Sequence, residues 1–401
     1  MSAALPQRSL RSPDLARAAA RAATVAVLGL LPPLLLLMTL VGSFRSATSS
    51  WAIDFEGNFR APAQAILHGL SPYDPHELAR VHRAVAHGRN PDDFHAGVFV
   101  AYPAPSLLLG VPFTFLPAAL AEWLWAALML AAGGLALRIV GVRDWRVYGA
   151  VLLTPSVLSS VMLGAVDLAV VLGLAACWRW RDHAARAGLV LGACIALKLI
   201  AAPLIAWLLV TRRWRAAAMA CAASAGLCLI GWAVIGFDGL GGYPHLLSML
   251  TDIESARGYS AVAYAHLAGI TGGVAAAMPY AVGACLLGVL WRVGSRRNGG
   301  DQAAFLVGVL ALMAFSPIVW HHYLVLLFVP LAVYAPRFSP IWLLPLLSWA
   351  VALMPSSSED GTISHVVFLA VIAGLTAWML TRERPSVSDT RSPAGTLPAW
   401  R

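Results

Sequence analysis

The feature that most constrains this chain is a succession of uncharged apolar runs, many close to the ~20 residues a helix needs to cross a bilayer, separated by short arginine-bearing loops. Composition agrees: of 401 residues, 59% are apolar and 12% charged, against about 25% charged in a soluble domain. A water-soluble globule is excluded. The expected fold is all-α, a polytopic transmembrane helical bundle, because helices satisfy their own backbone groups in lipid.

The net charge of +9 would point a soluble chain toward nucleic acid, but these arginines read as topology signals and no nucleic-acid partner is expected. Arg8, Arg11, Arg17 and Arg21 precede an apolar run from about Thr24 to Phe44, too long for a signal-peptide core of ~7–15 residues. Residues 1–23 then form a basic cytoplasmic N-terminus, and 45–98 the first extracytoplasmic loop. Patches at Arg179/Arg181/Arg186, Arg212/Arg213/Arg215, Arg292/Arg296/Arg297 and Arg382/Arg384 fall inside, which puts 237–273, 316–323 and 355–364 outside. The span 24–380 reads as one transmembrane domain of about eleven to thirteen crossings. Pro103, Pro105, Pro112, Pro117 and Pro155 permit broken helices between 99 and 178. Residues 381–401, rich in Ser, Pro and Arg, are expected to be a disordered cytoplasmic tail. The expected location is the plasma (inner) membrane, with bilayer lipids as partners.

Cys177, Cys194, Cys221, Cys228 and Cys285 lie in or beside apolar segments without C-x-x-C spacing, so neither disulfides nor a metal cluster are expected. Gly-rich phosphate loops of the Walker or dinucleotide type do not occur, which removes support for ATP or nicotinamide chemistry.

Ionisable residues in or near the apolar runs are the candidates for chemistry. Asp54 and Glu56 open the first outer loop in WAIDFEGNFRAPAQAILHGLSPYDPHELARVHRAV. In that loop AQAILHG and HELARVHRAVAHG read as short amphipathic helices along the membrane surface, divided by the turn LSPYDP. Asp54 is either a solvated carboxylate or an acid at the mouth of an intramembrane cavity. Glu56 reads as a solvated carboxylate or helix cap, and Asp74 as a turn former.

Lys198 is the only lysine; the other 27 basic residues are arginine. Arginine patches on both sides of 187–211 force a hairpin with Lys198 near its outer turn. An ammonium in that run must reach water or an anion, as a functional site or a snorkelling anchor, and lysine is a compact charge suited to phosphate. In SPIVWHHYLVLLFVP the polar cluster with His321 and His322 breaks an apolar stretch at 302–335 into two. These histidines can bond a carbonyl, an anion or a metal; two adjacent histidines point in different directions on a helix, so no metal site is expected. The acid, the lysine and the histidine pair fall on one face of the bundle. A carboxylate there can take a proton from an attacking hydroxyl while cations steady a departing phosphate, the needs of glycosyl transfer from a lipid-phosphate sugar.

The segments WAIDFEGNFRAPAQAILHGLSPYDP, FVAYPAPSLLLGVPFTFLP, SVMLGAVDLAVVLGL, RAGLVLGACIALKLIAAPLIAWLLVTRRWRA, GYSAVAYAHLAGITG and SPIVWHHYLVLLFVPL resemble, in this order, glycosyltransferase family 87. That family belongs to the GT-C class of polyprenyl-phosphate-sugar-dependent enzymes, which includes the mycobacterial phosphatidylinositol mannoside α-1,2-mannosyltransferase and resembles the arabinofuranosyltransferases. The resemblance implies a GT-C-type bundle and inverting transfer of mannose or arabinofuranose from a polyprenyl-phosphate donor to a lipid or glycan acceptor on the extracytoplasmic side. It implies Asp54 as catalytic base, Lys198 and His322, with His321, as donor phosphate-binding residues, and no metal or other cofactor. Two departures stand out. The family's G-Q-x-N element is Gly164-Ala165-Val166-Asp167 here, and its N-Q-S element is Gly258-Tyr259-Ser260. Altered specificity, or a scaffold without activity, would follow from them. A sugar-lipid flippase or small-solute transporter is the rival reading, though transporters place charges near the midplane and show repeated halves.

Overall fold

The computed structural model describes residues 12–45, 51–74, 100–255, 257–295, 300–350 and 361–382. The stretch HELARVHRAVAHG at 76–88, most of the loop at 355–364 and the tail beyond residue 382 lie outside them. No strand occurs among the described residues, so the architecture is all-α.

Among the described residues, five helices are long and apolar enough to cross a membrane: Ala16–Met38, Ala118–Ile139, Trp214–Val234, Gly272–Gly294 and Thr362–Thr381. A pair bent by 64°, Trp145–Leu152 and Pro155–Leu163, makes a sixth if it is one span. The remaining apolar helices, among them Ala184–Leu197, Asp301–Phe315 and His321–Tyr334, are 10–17 residues long. The larger number expected from the sequence counts whole apolar runs that the structure cuts into pieces. Prolines do much of the cutting. Residues 104–114 fall into Ala104–Leu107, Leu108–Gly110 and Val111–Thr114, with Pro105 and Pro112 in first turns, where a missing N–H costs no helical bond. The first helix also begins earlier than the apolar run, at Ser12, and continues through a π-helical turn at Ala26–Leu30 to Arg45.

One apolar core extends from Leu28 to Met379. The outward faces are apolar as well: Leu30, Ile230, Tyr280, Trp291 and Val366 are each more than half exposed, which suits contact with lipid chains and would be costly in water. Helices Ala184–Leu197 and Trp214–Val234 pack side by side through small residues. A Cβ added at Gly188 would stand 2.5 Å from Met219 Cβ, and one at Gly192 would stand 2.6 Å from Ala223 Cβ. Close backbone approach of this kind replaces the hydrophobic drive that lipid does not supply.

The bundle has two electrostatically distinct ends. At one, Asp301 accepts from Arg181 Nε at 2.8 Å and from Arg213 Nη1 at 2.7 Å, while Arg213 Nη2 reaches Asp182 at 2.9 Å. Three loops are thereby tied together, and the Arg213 guanidinium holds the Asp182 carboxyl below its usual range. Elsewhere, Asp144 caps Trp145–Leu152 and also accepts from Phe338 N. Its hydrogen bonds from Arg146 hold its carboxyl down at about 2. Helix Asp167–Arg179 separates this end from Asp167 by 13 residues, about 20 Å.

The segment after the first helix does not lie loose. Ile53–Leu67 is helical, with a π turn at Glu56–Arg60, and Phe55, Phe59, Ala61, Ala63 and Ala65 are fully buried. Phe55 stacks on Trp125 at 4.7 Å and meets Phe113 edge-on at 5.3 Å. Glu56, expected to be a solvated carboxylate or a cap, is 5% exposed and pairs with Arg60 at 3.2 Å. The same guanidinium donates from Nε to Phe113 O and from Nη2 to Leu116 O, so one arginine fastens this helix to the proline-rich turn. Arg60→Ala removes the cation facing Glu56 and two cross-chain bonds; a loss of about 3–5 kcal/mol is expected. Thermal unfolding in detergent should show a clearly lower midpoint, with Arg60→Lys recovering part of it.

Candidate active site

The end opposite the arginine knot gathers the candidate residues, and local backbone features place them. Ala52 has a left-handed backbone, φ 54°, and its N–H donates to Met162 O at 2.7 Å. A non-glycine residue in this region costs roughly 1–2 kcal/mol, sustained here by burial and that bond. Helix Ile53–Phe55 begins at the next residue and presents Asp54. Against it lies Gly164 at the C-cap of Pro155–Leu163, φ 71°. An added Cβ at Gly164 would stand 2.7 Å from Phe55 Cβ, and its carbonyl accepts from Trp125 Nε1 at 2.8 Å. Three residues later Asp167 starts the next helix, 1% exposed, where a helix N-terminus favours negative charge.

Lys198 stands where the hairpin breaks. Helix Ala184–Leu197 stops at an extended Lys198, φ −151° and ψ 112°, and a short 3₁₀ turn, Leu199–Ala201, follows. The helix-end carbonyls of Ala196 and Leu197 accept from Ser106 Oγ at 3.0 and 2.7 Å, which answers the need for partners at a helix end. Lys198 Nζ donates to Asp167 Oδ1 at 2.6 Å. Its ammonium also lies 4.3 Å from the Tyr323 ring centre and 5.7 Å from that of Tyr102, a favourable placement for a cation. Tyr102 is held over it by the outer aromatic group, with Tyr73 Oη donating to Tyr102 O and Tyr243 Oη to Ala101 O.

His322 arrives from the third direction. The loop at 316–320 is fixed by Ser316 Oγ donating to Ile318 O and by Tyr259 N donating to Val319 O, both at 2.5 Å. The chain then enters a 3₁₀ helix, His321–Leu327. His322 is 3% exposed, and its Nε2 lies 3.4 Å from Asp167 Oδ2. His321 is half-buried, its ring 5.8 Å from that of His322 and nearly perpendicular to it. Within the cluster it is His322 that meets the carboxylate. Asp54 is half-buried, and burial pushes its carboxyl up to about 6, with Lys198 lowering it and Asp167 raising it. That places a carboxylate near the pH at which a general base works best.

Asp54, Lys198 and His322, far apart in sequence, thus belong to one electrostatic cluster. Asp167 joins two of them. In the sequence Asp167 stands out only as a departure from the G-Q-x-N element, yet the rule that singles out Lys198, an ionisable group beside an apolar run, applies to it equally. Tyr102, within the segment FVAYPAPSLLLGVPFTFLP, and Tyr323, next to the histidine pair, give no separate signal.

An all-α bundle with lipid-facing sides and a buried acid–lysine–histidine cluster at one end describes an integral membrane protein with a candidate active site. The chain matches the model of glycosyltransferase family 87 over residues 99–317, more than half its length, and belongs to that family of membrane glycosyltransferases. No curated protein and no solved structure matches it. Asp167, Lys198 and Gly258–Ser260 lie within the matched stretch; Asp54, His321 and His322 lie outside it.

The Asp167–Lys198 pair carries a stability consequence. Lys198→Met leaves the Asp167 carboxylate without its ammonium, an expected loss of about 3–5 kcal/mol. Adding Asp167→Asn to Lys198→Met should restore more than half of that loss, because the stranded charge is gone. A double-mutant cycle from thermal unfolding reads the coupling, and additive effects would show that the two groups do not interact.

Proposed function

We propose that this protein transfers a sugar, mannose or arabinofuranose, from a polyprenyl-phosphate donor to a lipid or glycan hydroxyl on the extracytoplasmic side of the plasma membrane. The arginine-tied end is then cytoplasmic, following the positive-inside rule, and the Asp54–Asp167–Lys198–His322 end opens outward. The observation that carries the reading is this grouping at one end of a membrane bundle: Asp54, its carboxyl raised by burial and coupled to Lys198 and Asp167, and Asp167 in turn beside Lys198 and His322.

Asp54 accepts the proton of the acceptor hydroxyl as its oxygen attacks the anomeric carbon. The bond from that carbon to the phosphate oxygen breaks, and the electron pair leaves with the phosphate, so the configuration inverts. Negative charge on the departing polyprenyl phosphate grows by one. Lys198 offers a compact ammonium to that charge, and His322 offers a ring N–H. Fixed charges in a water-poor site act strongly on charge that develops during reaction. His321 borders the phosphate through His322.

A cavity of about 810 Å³ supports a lipid substrate. Its walls include Tyr259, Met278, Leu310, Met313, Phe368 and Ile372, and it also touches Val319, three residues before His322. It is overwhelmingly apolar and suits a polyprenyl chain.

The decisive experiment incubates purified protein with radiolabelled polyprenyl-phosphate sugars and lipid extract. Appearance of a labelled product is expected; net passage of sugar lipid across liposomes with no new linkage would instead mark a flippase. Asp54→Asn should lower turnover by at least ~100-fold, the scale of general base catalysis, while donor binding persists. In the wild type the carboxylate is the active form, so transfer should fall as pH drops through about 6. A rate flat between pH 5 and 7.5, or normal turnover in Asp54→Asn, would remove Asp54 from the mechanism.

A further inference from the structure

Asp167 presents a puzzle for a site that must receive an anion. Its carboxylate is 1% exposed, accepts from the ammonium of Lys198 at 2.6 Å and lies 3.4 Å from Nε2 of His322 without a hydrogen bond to it, and so already engages the lysine that would bind a phosphate and stands beside the histidine. Two buried polar atoms of the cluster, Asp167 Oδ2 and His322 Nδ1, have no hydrogen-bond partner. The cluster is therefore neutral as a Lys198–Asp167 pair, yet incompletely satisfied.

We propose that Asp167 is a resident counter-anion that competes with the donor phosphate for Lys198 and thereby sets how tightly phosphate-bearing lipid is held and how fast the product leaves. This rests on the glycosyltransferase reading above and assigns to Asp167 a positioning role through Lys198, without contact to the sugar. In the empty site the ammonium is compensated internally, which avoids the cost of a lone buried cation. When the donor enters, its single phosphate charge shares the ammonium, which has further N–H groups to give besides the one on Asp167 Oδ1. After transfer the phosphate carries an added charge, and a fixed carboxylate a few ångströms away repels it more strongly than it repelled the donor. The same carboxylate that keeps the empty site stable thus expels the product.

The test measures binding of undecaprenyl phosphate in detergent to wild type, Asp167→Asn, Asp167→Glu and Asp167→Asn/Lys198→Met, together with steady-state transfer. Asp167→Asn should bind undecaprenyl phosphate at least ten-fold more tightly than wild type, with KM and kcat both lowered because release slows. Asp167→Glu, which keeps the charge, should stay within about three-fold of wild type, and adding Lys198→Met should abolish the gain. A residue with a merely structural role would lower kcat and leave affinity unchanged or weaker. Should Asp167→Asn fail to fold alone, undecaprenyl phosphate added during purification should restore it, and failure to do so overturns the proposal. Binding by wild type with no gain in Asp167→Asn removes the proposal and leaves the glycosyltransferase reading intact. No binding by any form, with no transfer, removes both.

Discussion

A single carboxylate at the start of a buried helix organises the end of this bundle. Asp167 meets Lys198 from the hairpin at 2.6 Å and His322 from the loop at 316–320 at 3.4 Å. Three chain segments that each stop short of a full membrane crossing converge on it. A helix that ends inside a bundle leaves carbonyls or N–H groups without intrahelical partners, and here Ser106 and the Lys198 backbone N–H supply part of the answer. Broken helices and buried charge therefore belong together: the breaks admit the polar groups, and the polar groups satisfy the breaks.

The first loop depends on the same logic at one remove. Asp54 has little local reason to face the cluster, since its helix is only three residues long before the π turn. Its position follows from docking. Ala52 is pinned to Met162, Gly164 presses against Phe55, and Arg60 ties Glu56 to Phe113 and Leu116. Gly164 sits in this contact and precedes Asp167 by three residues, so one turn of chain positions both Asp54 and Asp167. A larger residue at 164 would meet both a strained φ and the Phe55 Cβ.

Legibility in the sequence varied with the kind of signal. Lys198 was visible because an ammonium in an apolar run is costly and rare. Glu56 reads in the sequence as a solvated group or a cap because its buried partner, Arg60, looks like any loop arginine until Phe113 and Leu116 close over it. Asp167 is visible as a substitution in a motif but not as the group linking lysine and histidine, because the separation of 31 positions from Asp167 to Lys198 and the still longer path to His322 carry no spacing rule. Apolar runs and long helices differ in number for a related reason: hydropathy registers apolar runs, whereas prolines and polar breaks decide whether a run becomes one helix or several short ones.

By itself the sequence determined the solvent of this protein, its helical class and the segregation of arginine from the few other ionisable groups, because these follow from transfer energies summed over local windows. It also pointed to a family through ordered motifs. Only the tertiary structure decided which ionisable groups touch, that Asp167 neutralises Lys198, and that the segment carrying Asp54 is packed inside the bundle. Those outcomes depend on contacts between residues tens to hundreds of positions apart, and such contacts are set by packing, which no local pattern encodes.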